Sequence, residues 1–186
     1  MPVHDSSPPA RQESFRILRD YLRAKDAQVP HLFARVFTDD AIFIATHAVE
    51  SPVSGSEPTV GLEAVTTLFR EMGRQCENIV TVVPSETVRE SAGLVTSDWV
   101  VALTLRNGAP GFVGWGTYQW TLAACGTRAV QLAVHFAGKV ALNADLATPV
   151  LDVLVDQSHP FCSTTDLKQA SSEVPELMPL VRWLKR

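Results

Sequence analysis

The run TDDAIFIATHAVES, from Thr38 to Ser51, reads as a strand that delivers side chains into a cavity. The group such a strand would be expected to deliver for chemistry is a carboxylate, and at the expected position the sequence has Ala45. Side chains alternate along a strand, so a cavity that receives Ala45 also receives Phe43 and His47. With an ordinary pKa near ~6.5, His47 is the group on that face suited to proton transfer at neutral pH. A histidine bonded to a loop at a strand end is an equally good account of it. His31 and His135 read as structural or surface residues, and His4 and His159 fall in irregular segments. The chain has neither two histidines at helical spacing nor a His-x-His pair, so no metal site is expected, and no cofactor is implied.

The elements that must position these residues follow from composition and pattern. A chain of 186 residues with 46% hydrophobic and 19% charged residues is an ordinary globular protein. At this length it buries about 70% of the surface of its unfolded chain, and one domain is the default. The net charge of −4, without a block of Lys or Arg, argues against nucleic acid as a partner. Apolar stretches are strand-sized, short of the ~20 residues that span a bilayer, which argues against a membrane. The N-terminus lacks the apolar core of a signal peptide, so the chain is expected to be cytoplasmic. Cys76, Cys125 and Cys162 are widely spaced and read as small buried hydrophobes rather than as a disulfide or zinc framework.

Phe15, Leu18, Tyr21 and Leu22 mark one face of a first helix, and Leu32, Phe33, Val36 and Phe37 form a short second stripe after Pro30. The segment VESPVSGSEPTVG has loop composition, and Leu62, Val65, Phe69 and Met72 mark a third helix from about Gly61 to Cys76. Beyond it, ENIVTVVPSETVRES, GLVTSDWVVALTLRN, FVGWGTYQWTLAA and RAVQLAVHFAGKVAL are β-branched and aromatic runs separated by turn compositions. They predict consecutive antiparallel strands and an α+β plan with the helices on one face of a curved sheet.

This order, with LFARVFTDDAIF, Phe37-Thr38-Asp39-Asp40-Ala41, and Gly61-Leu62-Glu63-Ala64-Val65 opening the third helix, resembles the nuclear transport factor 2-like superfamily, in particular its SnoaL-like and ketosteroid isomerase-like members. The resemblance covers about Gln12 to Leu142. It implies a cystatin-like fold: a cone-shaped half-barrel of a curved, mostly antiparallel sheet, two to three N-terminal helices on its concave face, a ligand pocket at the wide end and commonly a homodimer. Domain limits of 10–144 for the SnoaL-like part and 145–186 for a C-terminal extension follow. The superfamily hosts many activities, so it implies no single one.

Of the three groups that the isomerase mechanism uses, the resemblance carries over one. Tyr21 matches the oxyanion-donating tyrosine; the base falls on Ala45 and the acidic donor near Thr117, and neither can do that work. Steroid isomerisation is therefore not expected. An epoxide hydrolase arrangement of two Asp and an Arg would have to use Asp98, Arg106 and Arg128, near strand ends. Tyr21 and His47 are the candidate catalytic pair, with Tyr21 better explained as a packed ring whose hydroxyl is bonded. The expected binding residues are Phe33, Phe37, Phe43, Ala45, Phe69, Trp115, Thr117, Gln119 and Phe136.

The long strands pose a problem of register. Alignment to the superfamily sends Trp115, Thr117 and Gln119 into the pocket, whereas burial favours Gly116, Tyr118, Trp120 and Leu122 for the helix-covered face. A homodimer that buries the outer sheet face would reconcile the two. The C-terminal extension is expected to hold helices around Pro149 to Val155 and Val174 to Trp183, the second with Leu177, Leu180, Val181 and Leu184 on one face, packed on the core or on a partner subunit. The preferred functional expectation is a protein that binds a small, mostly apolar molecule in an aromatic-lined pocket. The alternatives are an isomerase, dehydratase or cyclase using His47 and Tyr21, and a noncatalytic subunit resembling the small subunits of ring-hydroxylating dioxygenases.

Overall fold

A computed structural model describes residues 9–47, 57–157 and 159–185, with the backbone alone at 9–11 and 47. The β-branched and aromatic runs form the strands β1 (Phe37–His47), β2 (Thr59–Val60), β3 (Cys76–Pro84), β4 (Arg89–Ser91), β5 (Leu94–Leu105), β6 (Gly111–Leu122), β7 (Ala129–Leu142) and β8 (Phe161–Cys162). They make one sheet in the order β2-β1-β7-β6-β5-β3-β8, with β4 paired to β5. The strands from β3 to β7 pair antiparallel, while β1 lies parallel to β7 and β8 parallel to β3. Between β4 and β5 the chain reverses through Ala92 and Gly93, both with positive φ, the conformation that a two-residue hairpin turn requires.

The helices are α1 (Pro9–Asp26), α2 (Phe33–Val36), α3 (Leu62–Gln75), α4 (Ala144–Val155), α5 (Thr164–Ser172) and α6 (Met178–Trp183). The third helix is shorter than the sequence predicts, because Gly61, with φ of 94°, stands outside it and Cys76 already opens β3. Helices α1 to α3 cover the inner face of the sheet, where Leu18, Tyr21, Leu22, Phe33 and Phe69 meet Trp99, Tyr118, Trp120 and Leu132 in one apolar cluster. This is the curved, open, mostly antiparallel sheet with helices that the α+β expectation describes. Of the three cysteines expected to be buried, the structure buries Cys76 and Cys162 and leaves Cys125 exposed. No described helix is long and apolar enough to cross a membrane.

The outer face is where the structure departs from expectation. Alternation along β5 and β6 sends Val100, Ala102, Val113 and Trp115 outward, into a second cluster with Val150, Leu154, Leu167, Leu177 and Leu180 of the last 43 residues of the chain. The strands are thus apolar on both faces because the chain covers both faces itself, and the apolar outer residues need no second subunit to explain them. The indole of Trp115 lies over Gly138, where a Cβ would come within 2.4 Å of the ring. Strand β7 also carries an extra residue opposite the Trp115–Gly116 step; a Cβ at Gly116 would stand 1.8 Å from the His135 carbonyl oxygen, so only glycine fits there.

The extension holds more structure than the two helices expected. Asn143 caps α4 by accepting from the Leu146 N–H at 3.0 Å. Helix α5 was not foreseen; the Ser163 hydroxyl accepts from the N–H groups of Thr165 and Asp166, and Leu167 is its wholly buried anchor. The Thr164 N–H and hydroxyl donate to the Glu86 carboxylate at 3.3 Å, which ties the start of α5 to the turn after β3.

Candidate functional site

Helix α1 runs across the inner face and delivers Tyr21 to the centre of a ring of aromatic side chains. Its ring centroid lies 5.0 Å from Trp120, 5.7 Å from Phe69 and Tyr118, and 6.3 Å from Phe33 and Phe37, mostly edge to face. Tyr21 is 2% exposed, and its hydroxyl shares a hydrogen bond with that of Tyr118. Burial holds the Tyr21 phenol well above its ordinary pKa; the negative charge of Asp26 adds to the shift and the Tyr118 bond opposes it. Burial raises Tyr118 in the same way, with Tyr21 and Asp26 adding to it.

Below this phenol pair, the end of α1 places a buried ion pair, Lys25 with Asp26, against β3. Asp26 accepts from the Thr81 N–H at 2.9 Å and from the Thr81 hydroxyl at 3.2 Å, and Lys25 Nζ donates to that hydroxyl at 2.8 Å. Each member is satisfied by the others, so the carboxylate is held as an anchor between α1 and β3 and is not presented to a substrate.

The residues expected at the site divide by face. Phe33, Phe37, Phe43 and Phe69 lie in the inner cluster, with Ala45 and Phe136 half-buried against it. The rings of Phe43 and Phe69 are 5.1 Å apart, edge to face. Trp115, Thr117 and Gln119 belong to the outer face, which corrects their expected place: Tyr118 and Trp120 take the inner positions, and in a strand their neighbours must point away. The side chain of His47 lies outside the described residues; its backbone ends β1 opposite Phe136, in the row that holds Phe43 and Ala45. Asp98 shares the outer face with Val100, while Arg106 and Arg128 flank the far ends of β5 and β7, so no carboxylate–arginine set is assembled.

Trp99, Tyr118 and Trp120 were not among the expected binding residues, although burial favoured Tyr118 and Trp120 for the helix-covered face, and Ser97 escaped the sequence altogether. Volume could have pointed to Trp99, the largest side chain of β5, but not to Tyr118 and Trp120, because β6 also carries Trp115 on its outer face. Trp99 stacks on Tyr118 at 5.4 Å and meets the edge of Phe136 at 4.7 Å. Ser97 lies directly across from Tyr118. The indole N–H groups of Trp99 and Trp120 and the hydroxyl of Ser97 are buried without a hydrogen-bond partner among the described residues. Buried donors are normally paired, so these three mark the inner face as polar in a way its composition conceals.

At the open end of the cone, Phe112, Phe136, Ala45, Met72 and Ile79 are half-buried against the cluster. Phe112 and Phe136 both lie over Gly114, where a Cβ would come within 3.1 Å of each ring. Two surface hollows lie elsewhere: one of about 440 Å³ beside α3, lined by Asp39, Glu63 and Arg70, and one of about 460 Å³ between α5 and α6. Among the described residues, no three His, Cys, Asp or Glu gather as they would around a metal ion.

No family model and no curated protein matches the chain. Solved structures do. A LEH-like epoxide hydrolase from M. tuberculosis aligns with a TM-score of 0.52 at 14% identity, over 79% of this chain and 98% of its own. A hexachlorocyclohexane dehydrochlorinase, LinA type 2, aligns with 0.57 at 16%, over 73% and 90%. A Catenulispora acidiphila protein with a ketosteroid isomerase-like fold, in complex with trimethylamine, aligns with 0.52 at 10%, over 70% and 88%. Identities this low speak to the fold alone: the chain folds as a nuclear transport factor 2-like cone, as other neighbours of it are described.

Proposed function

We propose that this protein binds a small, mostly apolar molecule at the open end of the inner sheet face. The observation that carries the reading is the half-buried rim of Phe112, Phe136, Ala45, Met72 and Ile79, with Phe136 against Trp99, a wholly buried indole whose N–H has no partner among the described residues. Apolar walls with a few polar atoms at the floor are the usual make-up of small-molecule sites. That a protein of the same fold is complexed with trimethylamine supports a small ligand. Organic extraction of the protein purified from its native host, followed by mass spectrometry, is expected to release such a molecule. A Gly114→Leu variant, whose side chain would press on Phe112 and Phe136, is expected to release much less of it. A wild-type extract without any such molecule, together with no thermal shift from a panel of small aromatic compounds, would overturn the reading.

Proton transfer by His47 and Tyr21 is less well supported. The Tyr21 hydroxyl is enclosed by rings and engaged with Tyr118, and the nearest described carboxylate, Asp26, is engaged with Lys25 and Thr81. The noncatalytic subunit is favoured by the close filling of the inner cluster around Tyr21.

The homodimer stands on narrower ground than the sequence offered. One row across the outer face runs through Val60, Ile42, Gln131, Thr121 and Leu94, clear of the C-terminal helices, and Val60 is 61% exposed. A second copy packed on this row would cover Val60, Ile42 and Leu94. Sedimentation velocity at micromolar concentration is expected to give a dimer that Ile42→Glu dissociates; a monomer in the wild type would remove the proposal.

A further inference from the structure

We infer that the ligand of the inner face is an uncharged molecule carrying one hydrogen-bond acceptor, such as a ketone oxygen, placed between Trp99 and Ser97. The inference rests on the reading of the inner face as a ligand site and adds the chemistry of what it takes. An indole N–H can only donate. Trp99 is 1% exposed and Ser97 2% exposed, they are two residues apart on the same face of β5, and neither Nε1 nor Oγ has a partner among the described residues. A molecule that offers an acceptor completes both groups, whereas a pure hydrocarbon buries them unpaired, which is the less favourable outcome.

Charge decides the rest. The described cation on this face, Lys25, is engaged with Asp26 and Thr81, and the field of Asp26 at the two phenols is negative. An anionic ligand would therefore sit unpaired among Trp99, Tyr118 and Phe136, at the cost of its hydration. A cation gives Trp99 no acceptor. Access runs from the rim: Phe136 is half-buried and its ring meets Trp99 at 4.7 Å, so a flat ring that displaces or slides beside Phe136 reaches the indole.

Four small probes of similar shape separate the cases: acetophenone, ethylbenzene, benzoate and benzylammonium, titrated into the full chain by ligand-observed NMR. Acetophenone is expected to bind roughly tenfold more tightly than ethylbenzene, because a site with unpaired donors discriminates against the analogue that lacks the acceptor. Trp99→Phe is expected to bring the ratio of the two affinities close to one, and Ser97→Ala to lower it in part; the serine variant serves if the tryptophan variant does not fold. Equal binding of acetophenone and ethylbenzene by the wild type would overturn the inference and leave the ligand site standing. Tightest binding of benzoate or benzylammonium would overturn it on charge. Binding of none of the four would overturn both the inference and the site.

Discussion

Loss of residues 174–186 is expected to lower the thermal midpoint by about 10 °C or more, or to leave the chain insoluble. Leu177, Leu180 and Val181 of this segment are 2% exposed or less, and Leu177 and Leu180 share the outer cluster with Val100, Ala102, Val113 and Trp115. Their removal opens a broad apolar surface beside α4 and α5, which also lose their neighbour. Leu180→Ala gives the same result on a smaller scale: truncating a buried leucine costs about 2–5 kcal/mol, and in a domain of this size each kcal/mol moves the midpoint by about 2–4 °C. Met178→Ala, at a side chain 36% exposed, is the control and is expected to change little. An unchanged midpoint for the truncated chain and for Leu180→Ala, measured by calorimetry, would show that the outer cluster contributes nothing to stability.

The second large effect is spectroscopic. The chain has two tyrosines, Tyr21 and Tyr118, and both are buried in the inner cluster with their pKa values raised above the ordinary value, first of all by burial. In the unfolded chain each ionises near pH ~10. Below that pH both states hold the phenolic protons and the tyrosines add no pH dependence. Above it the unfolded state gives up protons that the folded state retains, so stability falls as pH rises. The folded protein is expected to show no tyrosinate absorbance until it unfolds, and both tyrosines should then appear together with the loss of the tryptophan emission shift. A reversible titration near the ordinary value, with circular dichroism unchanged, would place one phenol in contact with solvent and contradict the packing of Tyr21 against Tyr118.

The sequence carried the helices and long strands because their signals are local. The stripe of Leu62, Val65, Phe69 and Met72 and the β-branched runs need no knowledge of distant residues. Register was not legible for the opposite reason. Trp115 and Trp120 both read as core, and each is in a core, but the cover for Trp115 is supplied by Leu177 and Leu180, some sixty positions further along. Alternation then offers two apolar faces and no polar one to exclude. Helix α5, TTDLKQASS, has a single wholly buried apolar side chain, Leu167, and is held by its Ser163 cap and by packing, neither of which leaves a stripe. On the inner face, the places of Phe43, Ala45 and Phe69 were reachable from pattern, while the donors of Ser97 and Trp99, unpaired among the described residues, are a property of what surrounds them.

A strand with two buried sides has a consequence for how its pairing is kept. In a sheet with one wet side, a slip by one residue is opposed because it drives polar groups inward and apolar groups outward. In the middle of β5 a slip would exchange Trp99 and Val101 for Val100 and Ala102, which are as apolar as the residues they replace. What opposes it is volume: a slip would put the indole of Trp99 where the outer cluster holds the smaller Val100, and would leave Val100 and Ala102 to fill the inner space of Trp99 and Val101. Gly116 and Gly138 fix the same alignment from β6 and β7, since each admits its neighbour only where no Cβ stands. Correct pairing in this sheet is thus selected by the sizes of side chains rather than by their polarity.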